Sequence, residues 1–320
     1  MRKRVVILSE NIPGGWDPAD SDLFGGQELV VNLANEFSYE FETLVFYPAK
    51  AGKEAGKVGN VRYLSRDKFD YHEDDILIVD NDHDFRPVKR AFKMYYHSRS
   101  VDVPFDLSFY DFYIHISDFH KSRNFWIPEK KAKVIPLGID MISLMDKRKT
   151  GKDIDTILSC SSPDRGLITL LRDWAEIRSH HPSLELKITY GFDNLIKFCG
   201  SSSDSFISHF KNLLAQDGIR FLGKVGKDEM EKLYWESKYW VHPLNTPDAE
   251  LFCLNAIKAR ATYTTCIVNL TGALKETVGN YIPYSDFVKG KTDIVKHESS
   301  FGPASWSEIY ARYWSSLLYQ

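Results

Sequence analysis

The chain has 320 residues, 43% of them hydrophobic and 27% charged, with a formal net charge of −3. That length suits two α/β cores of ordinary size, and the composition excludes wholesale disorder. The charge balance gives no reason to expect a nucleic-acid partner. No apolar run is long enough to span a bilayer, although peripheral contact with a membrane surface stays open. The opening MRKRVVILSE is not expected to be a leader peptide, because its apolar run ends at Leu8 and polar Ser9, Glu10 and Asn11 follow. The four cysteines (Cys160, Cys199, Cys253, Cys266) show neither CxxC spacing nor a paired framework. Cys160, Cys253 and Cys266 lie in or beside apolar runs and read as small buried thiols, and a reducing, cytoplasmic setting is expected.

In chain order, the β-branched run Val5–Ser9 predicts a strand, and a loop rich in Gly, Pro and Asp follows it. Gln27–Phe37 places Leu29, Val30, Leu33, Ala34 and Phe37 on one helical stripe. Further strands are predicted at Thr43–Tyr47, Ile76–Val79, Lys93–His97, Phe112–Ser117 and Val134–Leu137, apolar enough for a parallel sheet covered on both faces. A charged stretch, MDKRKTGKD over Met145–Asp153, then reads as a linker. The alternation restarts with strands at Thr156–Cys160, Leu184–Tyr190, Ile219–Val225, Tyr239–His242 and Thr264–Asn269. Helices are predicted at Gly166–His180, Asp204–Ala215, Lys227–Ser237, Glu250–Ala261 and Gly272–Val278. Ser305–Leu318 sets Trp306, Ile309, Tyr310, Tyr313, Trp314 and Leu317 on a helical period. The fold class is therefore α/β, with two Rossmann-like doubly wound domains at 1–140 and 155–303, a linker at 141–154 and a C-terminal helix at 304–320.

In such sheets, ligands bind beyond the carboxyl ends of the strands, where helix N-termini attract anions. Gly25 and Gly26 precede a helix and let main-chain N–H groups approach a phosphate, although a plain turn asks for the same pair. Asp80–Asp84 (DNDHD) has the composition of a metal cluster but reads as a solvated acidic loop. His97 ends a strand, which suits either cleft chemistry or a structural hydrogen bond. Arg165 stands in the strand-to-helix loop Ser161–Gly166, where a guanidinium beside a helix N-terminus makes a diphosphate clamp. Glu250 ends the next such loop, Pro243–Glu250, and either caps a helix or accepts from sugar hydroxyls.

Several segments, in order, carry a resemblance to the retaining family-4 glycosyltransferases over nearly the whole length. They are GGQELVVNLANEF, HISDFHKSRNF with VIPLGID, SSPDRGLITLLRDWAEI, GIRFLGKVGKDEMEKLYWESKYWVHP with the Glu250 loop, and TGALKETV. The resemblance implies a GT-B fold, two Rossmann-like domains facing a cleft, and transfer of a sugar from a nucleotide-diphosphate donor to a glycan or other hydroxyl acceptor with retention. It implies no cofactor and no metal, because basic side chains and helix N-termini take up the diphosphate charge. By resemblance, Arg165 clamps the phosphates and Glu250 holds the donor sugar. The backbone at Phe252 and Cys253 lies against the diphosphate, Gly25 and Gly26 close on it from the other domain, and His97 is the cleft histidine. Tyr190, Gly191 and Val225 sit near the base. Apart from the resemblance, Gly14–Phe24 is the segment expected to face the acceptor, where Trp16 either stacks on a sugar face or packs on its own domain.

Two positions depart from the family. Lys258 stands where a ribose-holding glutamate is usual, eight residues after Glu250, and Ser159 where an arginine is usual, six before Arg165. Lys258 can restore one positive charge to the clamp. The departures keep a second reading in play, a catalytically weak GT-B protein that binds nucleotide or glycan or partners an active transferase. A dehydrogenase is disfavoured because no GxGxxG opens a helix after a strand.

Overall fold

The computed structural model describes residues 3–20, 23, 25–50, 54–97, 106–148, 151–192, 204–245 and 250–319; Cys199 lies outside them. The chain divides into two compact units, one made of Met1–Gly138 with Ala304–Gln320 and the other of Ile139–Pro303.

The first unit holds an eight-stranded sheet in the order β3-β4-β2-β1-β5-β6-β7-β8. Its strands are β1 (Arg4–Leu8), β2 (Glu42–Tyr47), β3 (Gly56–Val58), β4 (Val61–Ser65), β5 (Ile76–Asp80), β6 (Phe92–His97), β7 (Phe112–His115) and β8 (Ala132–Val134). All neighbours run parallel except β3 against β4, a short edge pair that the apolar-run reading does not reach. In the centre, Ile7 sits opposite Val45 on one side and Ile78 on the other. Helix α1 (Gly25–Ser38) buries the predicted stripe of Leu29, Val30, Leu33, Ala34 and Phe37. The strand expected to run on to Ser117 stops at His115, since Ser117 instead caps α2 (Asp118–Arg123), its hydroxyl accepting from the His120 N–H at 2.9 Å.

The C-terminal segment packs in this same unit. Ser305 and Glu308 form a capping box ahead of a helix at Trp306–Ile309, a π-helical turn follows at Tyr310–Trp314, and a last helix occupies Ser315–Leu318. Trp314 is buried edge-on against Phe37 at 5.3 Å and Tyr96 at 5.6 Å. Gly138 admits no larger residue, because a Cβ there would come within 2.7 Å of the Trp306 Cα.

The second unit holds a fully parallel six-stranded sheet in the order β11-β10-β9-β12-β13-β14. Its strands are β9 (Asp153–Ser159), β10 (Glu185–Thr189), β11 (Ile219–Gly223), β12 (Ser237–His242), β13 (Thr265–Val268) and β14 (Tyr281–Pro283). Its helices are α3 (Met141–Asp146), α4 (Leu167–His180), α5 (Asp204–Leu214), α6 (Lys227–Glu236), α7 (Leu254–Ala261), α8 (Leu274–Thr277) and α9 (Tyr284–Val288). Side chains alternate between two cores. Ile157, Tyr239 and Val241 join Leu170, Leu171 and Trp174 of α4, while Leu158 and Trp240 join Tyr234, Ala256 and Val268.

Within the expected linker, the described residues 141–148 and 151–154 belong to the second unit. Helix α3 occupies the start, Ser143 donating to Glu231 at 2.7 Å and the Leu144 carbonyl accepting from the Trp235 indole at 2.6 Å. Strand β9 already begins at Asp153. Between them Lys152 turns inward and donates to the Tyr234 and Ser237 carbonyls and the Thr264 hydroxyl at 2.7–2.9 Å. A charged composition reads as solvated, but one long lysine stem can be buried when its ammonium meets several acceptors.

Candidate functional site

Each sheet reverses direction beside its first strand, and that reversal opens a crevice at the carboxyl ends. In the second unit the reversal falls between β9 and β12. The loops that leave these strands are Ser161–Gly166 and the segment ending in Glu250, so the topology brings together the two residues singled out from sequence.

The first loop is drawn onto the second by Gly166, which has φ +95° and lies so close to Pro243 that a Cβ would meet its carbonyl oxygen at 2.9 Å. The 14-residue helix α4 starts at once, with Arg165 just outside its first turn. Arg165 Nη1 stands 3.7 Å from Glu250 Oε2, and its Nε 3.6 Å from Asp164. Glu250 is mostly buried, Arg165 one-third exposed. Helix α7 begins at Leu254, not at Glu250, and Cys253 is its N-cap. Glu250 therefore does not cap the helix. Its main chain is anchored instead, the carbonyl accepting from Ala273 N–H at 3.1 Å.

A third residue completes the cluster. His242 closes β12, is 1% exposed, and sets Nε2 3.4 Å from Glu250 Oε2. Its Nδ1 lies 2.9 Å from Ser161 Oγ. Asn255 Nδ2 lies 3.5 Å from the same hydroxyl, and Tyr234 donates to Asn255 Oδ1 at 2.8 Å. Sequence reading missed His242, although the signal was there: a polar side chain ending an apolar strand directly before proline, the pattern that drew attention to His97.

His242, Glu250 and Cys253 offer three ligand atoms within 4.8 Å of one another, the one such group among the described residues. Their chemistry suits a cation poorly. Burial, aided by the Glu250 charge, pushes the Cys253 thiol well above its usual range, and the Arg165 guanidinium already faces Glu250.

The remaining candidates distribute as follows. Phe252 and Cys253 turn their side chains inward, Phe252 onto Phe301 at 5.8 Å and Cys253 into the core with Leu158 and Trp240. Tyr190, in the left-handed region at φ +79°, and Gly191 follow β10, and Val225 follows β11; all three are half-buried at the carboxyl ends of the sheet. Lys258 is half-buried on α7, where its charge acts on Asp140, Glu231 and the Cys160 thiol. Ser159 is buried at the end of β9. In the first unit, Gly25 and Gly26 open α1; a Cβ on exposed Gly25 would meet nothing within 4 Å. His97 ends β6 opposite His115, and its side chain lies outside the described residues.

In the first unit the structure takes the packing alternative for Trp16 and overturns one expectation. Trp16 does not present its ring to a ligand. It is 3% exposed, packed on Tyr47 at 4.8 Å and Tyr63 at 6.4 Å, because the loop after β1 folds back to pair Trp16 with Ala49. Asp80–Asp84 is not a solvated loop either. Asp80 is fully buried, Asp82 pairs with Arg66 and accepts from the Phe85 N–H at 3.2 Å, and His83 meets the Tyr95 hydroxyl at 2.9 Å.

No protein-family model matches the chain, and no curated protein does. Solved structures do. AviGT4, a glycosyltransferase involved in avilamycin A biosynthesis, aligns over 96% of this chain and 88% of its own at 13% identity and a TM-score of 0.58. HepE of Anabaena in complex with UDP-glucose aligns over 96% and 88% at 11% identity and a TM-score of 0.60. Sucrose-phosphate synthase of Thermosynechococcus elongatus aligns over 85% and 82% at 16% identity and a TM-score of 0.59. The fold of this chain, two parallel-sheet α/β units, is that of the GT-B glycosyltransferases. Among the described residues, no helix is long and apolar enough to cross a membrane.

Proposed function

We propose that the chain is a retaining glycosyltransferase that moves a sugar from a nucleoside-diphosphate sugar to an acceptor hydroxyl, without a metal. The observation that carries this reading is the convergence of Arg165, Glu250 and His242 at the β9/β12 reversal, between the N-termini of α4 and α7. Arg165 and the α4 N-terminus neutralise the diphosphate as charge develops on it. Glu250, mostly buried and anchored at its main chain, accepts from the donor's sugar hydroxyls. HepE binds UDP-glucose in the same fold, which makes UDP and UDP-glucose the first probes.

The test is a thermal-shift panel of UDP, GDP and ADP with their glucose and mannose conjugates, followed by slow donor hydrolysis. One nucleoside diphosphate raises the melting temperature, and its sugar conjugate is hydrolysed to a sugar of unchanged anomeric form. Hydrolysis with inversion ends the retaining assignment; no stabilisation by any nucleotide ends the whole reading. The second reading, a GT-B binder of weak activity, is favoured by Lys258 and Ser159, neither of which offers a ribose acceptor or a phosphate cation in the family's manner. It predicts stabilisation by a nucleotide with no hydrolysis of any conjugate.

A further inference from the structure

A chain of buried polar contacts lies behind Glu250. Tyr234 is fully buried, and burial holds its phenol neutral, far above the usual range. Its O–H donates to Asn255 Oδ1 at 2.8 Å, which turns the amide so that Nδ2 lies 3.5 Å from Ser161 Oγ. With an N–H aimed at its oxygen, the Ser161 hydroxyl has its own proton to give to His242 Nδ1 at 2.9 Å. Where the hydroxyl gives that proton, Nδ1 is the acceptor and the ring hydrogen sits on Nε2. That nitrogen is buried 3.4 Å from Glu250 Oε2, close enough for electrostatic attraction although it makes no hydrogen bond there. The opposite tautomer would set a lone pair against a carboxylate. Trp240 lies parallel to the imidazole, at 13° and 5.4 Å, and fixes its plane.

We infer that His242 is a positioning residue. The chain Tyr234–Asn255–Ser161 sets its Nε2–H tautomer, and the ring edge so polarised faces Oε2 and steadies Glu250 electrostatically rather than through a hydrogen bond. Arg165 approaches the same oxygen from its own loop at 3.7 Å. Among the described residues both contacts fall on Oε2, which leaves Oε1 to accept from the donor sugar. The inference rests on the reading of Glu250 as the sugar ligand. It adds that the carboxylate's orientation depends on a proton relay buried behind it, so specificity for the sugar resides partly in residues that never touch it.

The first measurement needs no substrate. Nitrogen-15 spectra of the full chain labelled at histidine, with the His242 signals assigned by their loss in His242→Gln, should show Nδ1 bare and Nε2 protonated at neutral pH. A Nδ1–H tautomer or a doubly protonated ring overturns the relay. The second measurement uses UDP and UDP-glucose, or the GDP or ADP pair that the panel selects. His242→Ala should lower kcat for donor hydrolysis about three- to tenfold, the range for loss of one modest polar interaction, with nucleoside-diphosphate affinity nearly unchanged. His242→Gln, which keeps an N–H, should recover most of that loss, and Ser161→Ala should give a smaller loss in the same direction. In a Glu250→Ala background, His242→Ala should add nothing. Unchanged turnover in His242→Ala, or additive losses, overturns the inference. Full turnover in Glu250→Ala alone sinks the reading of Glu250 while leaving the nitrogen-15 result standing, so the two failures are distinct. Where His242→Ala does not fold, the Gln and Ser161 variants decide.

Discussion

The two units share a strand order, β4-β2-β1-β5-β6-β7 in one and β11-β10-β9-β12-β13-β14 in the other, yet they load their reversal points differently. In the first unit, the loop after β1 buries Trp16 against Tyr47, and the loop after β5 commits Asp82 to Arg66. In the second, the loops after β9 and β12 bring Arg165 and Glu250 within 3.7 Å and leave Arg165 partly exposed. The reversal thus carries a buried ring and an internal ion pair in one unit, and is furnished with a partly exposed arginine beside a carboxylate in the other. Topology makes a site available; the chemistry of the loops decides whether it is used.

The comparison can be tested from both sides. The largest effect is expected where it claims pure packing. Trp16→Ala should cost the first unit about 3–5 kcal/mol, the range for truncating a buried tryptophan, measured by denaturant unfolding. A loss under about 1 kcal/mol would show that the ring is not part of the core and return it to the ligand-facing role.

On the furnished side, Glu250→Ala should lower donor hydrolysis about 10²–10³-fold, as removal of one group addressed to the reacting sugar does, while calorimetry finds nucleoside-diphosphate affinity little changed. Near-full turnover would reduce Glu250 to a loop anchor.

The first unit also contains a pH-sensitive core. His115 is fully buried beside His120, and burial pulls it down to about 4. Its folded pKa lies below the unfolded value near 6.5, so between these the unfolded chain binds a proton that the folded chain refuses. Stability is therefore complete above pH 6.5 and falls as pH drops toward 4, by about 3 kcal/mol at most. His115→Gln should flatten that part of the pH–stability curve for the first unit; an unaltered curve would place the acid sensitivity elsewhere.

Smaller still, Arg165→Ala should weaken nucleoside-diphosphate binding by about 1.5–3 kcal/mol with the fold intact, read by calorimetry. Unchanged affinity removes Arg165 from the site. Last, EDTA should leave donor hydrolysis unchanged. A manganese or magnesium requirement would make the group of His242, Glu250 and Cys253 a metal centre after all.

Much of this organisation was legible in the residues. Apolar runs such as Ile76–Val79 and Trp240–Val241 can be satisfied only by burial on both sheet faces, and the α4 stripe of Leu167, Leu170, Leu171, Trp174 and Ile177 has one place to go. These are local periodicities with a single low-energy outcome. The short strands β3, β4 and β14 have three to five residues each and too little pattern to stand out, and they form because a neighbouring edge offers unpaired backbone groups. Arg165 and Glu250 were found from their loop positions, whereas His242 was passed over as a strand ending.

What the sequence determined by itself is the repeated α/β alternation, the sheet-forming runs, and the placing of charged residues in loops after strands. Each follows from the spacing of apolar side chains along a few turns or a single strand. Tertiary structure alone decided that Trp16 is core, that Lys152 turns inward to three acceptors, and that Ser161, His242 and Glu250 meet. Those outcomes depend on contacts between residues from eight to more than a hundred positions apart. A buried proton or carboxylate takes its character from whichever donors the fold brings within about 3 Å, and local sequence does not encode that distance.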